Sequence, residues 1–158
     1  MLLSLALVLA APTVPTLAPA PRLLGEYATL ETPTGTLRGF LDIPAKPGPW
    51  PVVVIHAGSG PTDRNGNGPL VNTNNLKMLG RQLAAEGFAV LRLDKRGVAG
   101  SLFALEREED ANLPNYAADV RGWVKQLRAD PRFTKVGHIG HRVGALIGLV
   151  AAREARFD

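Results

Sequence analysis

Residues 136–146 (VGHIGHRVGAL) carry the spacing with the most chemical content. A strand-like run enters Gly140-His141-Arg142-Val143-Gly144, and a helical pattern follows at once. Strand, Gly-X-X-X-Gly and helix in direct succession form the layout of a nucleophile elbow, which lifts its central residue above a sheet to attack a carbonyl. The turn is so sharp that the central backbone is strained and its flanking neighbours must lack side chains. Gly140 and Gly144 occupy those flanking places, with His141 beside the centre. The N-terminus of the following helix would favour a developing oxyanion. The central residue, however, is Arg142, whose guanidinium stays protonated at ordinary pH and is not a nucleophile. A side chain so long and charged is expected to fill the space a reacting carbonyl would need.

No other residue makes good the loss. Ser59 and Ser101 fall in loop-like segments outside any elbow, and read as loop hydroxyls. His56 opens the loop after one strand-like run, His138 lies inside another, and neither is placed to act as a general base. Asp94 also ends a strand and fits best as a loop-fixing carboxylate paired with Lys95, Arg96 or Arg64. Metal binding lacks support: the histidines have no carboxylate-rich partner set, and Asp63, Asn65 and Asn67 lack the terminal acid of a calcium loop. The absence of cysteine removes disulfides, thiol catalysis and thiolate metal sites. No cofactor is expected. The net charge of +4 invites a nucleic-acid partner, but the Lys and Arg residues are scattered and interleaved with acids, so none is expected.

The elements that must hold the elbow follow from pattern and punctuation. Residues 26–32 and 36–43, joined by Thr34-Gly35, read as a hairpin. The proline-rich stretch 44–51 is a loop, and Val52-Val53-Val54-Ile55 is a β-branched run suited to a strand buried on both faces. The Gly- and Asn-rich loop 56–67 leads to a helix over 74–86, stopped by Gly87. A strand over 88–93, a polar stretch to Asp110, a helix over 115–129 stopped by Asp130-Pro131, a strand over 135–139 and a helix over 145–153 complete the chain. Alternating strands and helices give an α/β class: a mostly parallel sheet with helices on both faces and an antiparallel N-terminal hairpin.

In this order the motifs resemble the α/β-hydrolase superfamily, and more narrowly its bacterial esterase and dienelactone-hydrolase-like branch. The matching stretches are His56-Ala57-Gly58-Ser59-Gly60-Pro61, Thr62-Asp63-Arg64-Asn65-Gly66-Asn67, Asp94-Lys95-Arg96-Gly97, and the elbow, over residues 26–152. The resemblance implies the N-terminal half of that fold and an ancestral carboxylic-ester hydrolysis. It also implies an oxyanion hole made by the backbone N–H groups of Gly58 and Val143, acting on a small ester-like molecule. The family's Ser is replaced by Arg142, and Val143 stands where an acid is common. Its catalytic acid and His follow the elbow on later strands, whereas this sequence ends at Asp158. The expectation is therefore a truncated, catalytically silent hydrolase, with a secreted anion-binding module using the old pocket as the alternative. An elbow strand without later neighbours is expected to leave an exposed sheet edge that favours self-association. Residues 1–20, with an apolar run at 2–11 too short to span a bilayer and Ala18-Pro19-Ala20 as a cleavage site, read as a secretory signal peptide. The hydrolase domain then covers 21–158, secreted or periplasmic.

Overall fold

The hairpin that the turn at Thr34-Gly35 demands is present, and it anchors one side of the sheet. In the computed structural model, which describes residues 24–158, β1 (Leu24–Thr32) pairs antiparallel with β2 (Gly35–Ile43). Gly35 supplies the positive φ of 137° that the reversal requires. The segment read as a signal peptide lies outside the described residues.

The sheet runs β1-β2-β4-β3-β5, with β3 (Trp50–His56), β4 (Ala89–Leu93) and β5 (Phe133–Gly140). β2 joins β4 antiparallel, while β3 pairs parallel with both β4 and β5. The sheet is thus mixed, with its parallel part around the strand that lacks polar alternation. Val52 and Val54 point into a core with Leu91, Leu93, Trp123 and Ile147, whereas Ile55 points to a second core with Leu76 and Val90. Burial on both faces explains why β3 is a continuous β-branched run.

Helix α1 (Asn75–Ala85) covers the second core. Gly87 ends it at φ 102°, its N–H donating to Ala84 O while the Phe88 N–H donates to Leu83 O. These are the paired bonds of a Schellman terminus. Helices α2 (Leu113–Ala129) and α3 (Val143–Ala151) cover the first core. α2 begins two residues before the expected Asn115, because Asn112 caps it by accepting the Asn115 N–H at 3.0 Å and Pro114 suits the first turn. α3 likewise begins two residues early, directly after Arg142. The polar stretch after β4 forms two short 3₁₀ turns, Ala99–Ala104 and Glu108–Asp110.

Candidate functional site

β5 delivers the chain to Gly140, and α3 leaves from Val143, so His141 and Arg142 must make the whole reversal. Arg142 takes φ 54° and ψ −116°, a left-handed backbone that a side chain adopts only under strain. A Cβ on Gly140 would collide with the backbone of Gly144 and Ala145. One on Gly144 would lie 2.5 Å from His56 O and 2.8 Å from Ala57 O. Both glycines are therefore steric requirements of the elbow, as their spacing indicated. The turn is closed by the Gly144 N–H to His141 O at 2.9 Å and the Ala145 N–H to Arg142 O at 3.0 Å.

The loop after β3 meets this turn. The His141 N–H donates to His56 O at 3.0 Å, and a Cβ on Gly58 would sit 2.9 Å from His141 Nδ1 and 3.6 Å from Arg142 Cβ. Gly58 is buried and Val143 half-buried, so the segments that carry the two expected N–H donors are adjacent. The Arg142 side chain departs from expectation. It is exposed, and it does not line the cavity beside the elbow. The elbow raises its central residue toward solvent, so the length of the guanidinium carries it outward.

That cavity has a volume of about 590 Å³ and reaches from Ser59 and Gly60 to Val143 and Ile147. Its apolar wall includes Val98, Leu105, Leu113 and Tyr116. Lys95 lines it too, buried, donating to the carbonyls of Gly58 and Gly60, the latter at 2.7 Å. Burial holds its amine below the ordinary lysine pKa. Sequence reasoning offered Lys95 only as one partner for Asp94. Asp94 instead takes Arg64, through the Arg64 N–H at 2.7 Å and an ion pair at 2.7 Å, and it also accepts the Gly100 N–H at 3.0 Å. Its role as a loop-fixing carboxylate is the one expected.

The histidines are brought near one another without forming a catalytic set. His56 is fully buried, its Nδ1 2.9 Å from Ala57 O, and its ring lies 6.3 Å from that of His138. Burial lowers both to a pKa of about 4, so both are neutral at pH 7. His138 Nε2 has no hydrogen-bond partner among the described residues. His141 is exposed. Ser101 is buried and committed, its Oγ donating to Asp94 O at 3.0 Å and accepting the Arg38 N–H at 2.8 Å. Ser59 is exposed on the cavity rim.

Two buried ion pairs escaped sequence reasoning. Arg92 meets Asp42 at 2.6 Å between β4 and β2, and Arg96 meets Asp119 at 2.5 Å between the β4 loop and α2. The available signal was a charge inside an apolar strand, in Leu41-Asp42-Ile43 and Leu91-Arg92-Leu93. No group of three or more His, Asp or Glu side chains able to hold a metal occurs among the described residues.

No protein-family model and no curated protein sequence matches the chain. Solved structures do. An α/β hydrolase from Penicillium superposes with a TM-score of 0.69 at 21% identity, over 84% of this chain and 42% of that one. A serine hydrolase without a lid from Xanthomonas campestris gives 0.64 at 23%, over 93% and 61%. A dienelactone hydrolase from Anabaena variabilis gives 0.64 at 21%, over 84% and 58%. The chain thus spans roughly half the length of these structures, and it has the α/β-hydrolase fold.

Proposed function

We propose that this is an α/β-hydrolase-like protein of carboxylic-ester-hydrolase ancestry that runs no acyl-enzyme chemistry through its elbow. One observation carries the reading: the strained residue at the head of α3 is Arg142. Attack on a carbonyl needs an available lone pair at that point, and a guanidinium that stays protonated offers none. The Gly58 and Val143 N–H groups remain as the proposed oxyanion hole for a small ester-like ligand. Backbone donors outlast side-chain replacement, but without a nucleophile they leave only a small residual acceleration. Incubation with p-nitrophenyl butyrate tests this. We expect neither a burst of nitrophenol nor saturable turnover; a burst matching one equivalent of chain would sink the reading.

A second reading is a secreted non-catalytic module that binds anions in the old site. It is favoured by the exposed Arg142 guanidinium, which has no ion-pair partner among the described residues and stands at the N-cap of α3. A carboxylate there would meet both a bidentate donor and the positive end of the helix. Carboxylate binding that survives Arg142→Ala would refute that placement.

A further inference from the structure

Among the described residues the buried cations are Arg92, Lys95 and Arg96. Arg92 and Arg96 each have a carboxylate, Asp42 at 2.6 Å and Asp119 at 2.5 Å. Lys95, only 4% exposed, has none. Its ammonium donates to the carbonyls of Gly58 and Gly60, which leaves one of its three donors without a partner among the described residues. Carbonyl dipoles satisfy hydrogen bonds but do not cancel a charge, so the buried cation lacks a counter-ion.

The same residue lines the cavity of about 590 Å³ beside the elbow. That size lies within the range that encloses a small organic ligand. Val98, Leu105, Leu113, Tyr116, Val143 and Ile147 make its wall largely apolar. Of the other charged groups in the lining, Arg96 is spent on Asp119, and Glu108 sits exposed on the second 3₁₀ turn. An apolar cavity with one uncompensated buried cation matches an amphiphile with a single negative head. A phosphate or polyanion would leave the wall unused, and a neutral ester, although it could meet the Gly58 and Val143 N–H groups, would leave the Lys95 charge unanswered.

We propose that this cavity binds the carboxylate of a medium-chain acyl acid, with the Lys95 ammonium as its counter-ion and the acyl chain against Tyr116, Leu113 and Ile147. This rests on the chain being a binder rather than a catalyst, and it replaces Arg142 by Lys95 as the group that recognises the anion. The carboxylate takes the free donor of Lys95 while the two bonds to the Gly58–Gly60 loop are kept. The loop beside the elbow is thereby tied to occupancy of the cavity.

Calorimetric titration of the full chain at pH 7 with octanoate and with octanamide, its neutral isostere, tests the proposal. We expect octanoate to bind tighter by about tenfold or more, as a charge-assisted hydrogen bond supplies. The preference should persist in Arg142→Ala and vanish in Lys95→Met. Equal affinities, or no octanoate binding in the millimolar range, would overturn the proposal in the unaltered chain, whether or not the lysine variant folds. So would a preference that survives Lys95→Met or is lost in Arg142→Ala, the latter returning the anion to the elbow. Release of ammonia from octanamide would remove the non-catalytic reading and this proposal with it.

Discussion

At position 142 the backbone sits at φ 54° and ψ −116°, where a side chain is expected to cost about 1–3 kcal/mol. Glycine adopts that conformation freely and loses about 0.5–1 kcal/mol in chain entropy. Arg142→Gly should therefore stabilise the protein by about 1 kcal/mol in urea unfolding; a destabilised variant would mean that the arginine makes contacts which outweigh its strain. Buried His56 and half-buried His138 act in the opposite sense as the pH falls. Their pKa is about 4 folded against 6.5 for the ordinary group, so the unfolded chain binds more protons between those values. Their contribution is complete above about pH 6.5 and is lost as the pH falls through about 4. For fully buried His56 that is on the order of 3 kcal/mol at 1.36 kcal/mol per unit. Urea melts at pH 7 and pH 4.5, with histidine Cε1 titration by NMR, check this; midpoints near 6.5 in the folded chain would contradict it. The sequence announced Gly140, Gly144 and Arg142 because steric demand leaves a fixed spacing. It gave no sign that Lys95 is buried on the carbonyls of Gly58 and Gly60, which lie some thirty-five residues away.

Strands and helices were legible where a local signal decides them. The β-branched run of β3 and the Gly87 stop of α1 needed no knowledge of the rest of the chain. α2 and α3 each begin two residues ahead of where the sequence pattern predicts. In α2 the apolar periodicity starts after the cap, so the start is marked only by Asn112 and Pro114. In α3 the glycine spacing signals a turn separate from the helix, although Gly144 already belongs to its first turn. Tertiary pairing was the least legible level. Asp42 and Arg92 tie β2 to β4 through two hydrogen bonds, at 2.6 Å and 3.2 Å, with both side chains buried. Removing one partner strands the other charge, so Asp42→Ala should cost about 3–5 kcal/mol. The double variant Asp42→Ala with Arg92→Met should recover part of that loss. Additive losses in chemical denaturation would show that the pair does not couple the strands.

For the whole molecule, the parallel part of the sheet ends at β5, whose outer edge is unpaired among the described residues. Ile139 at that edge is 36% exposed, and Leu146 and Leu149 on α3 are 49% and 72% exposed. An open edge next to exposed apolar side chains is a template for pairing, and we propose that copies of the chain associate there. Light scattering should give a mass that rises with concentration, reduced in Leu149→Glu; a constant monomer mass would refute this. The elbow rather than the edge decides the chemistry, and intact-mass analysis after treatment with a fluorophosphonate tests it most directly. Arg142 in the nucleophile place predicts an unmodified chain. A single adduct per chain, mapped to Ser59 or any other residue lining the cavity, would show that a nucleophile has been recruited and that the site still performs covalent chemistry.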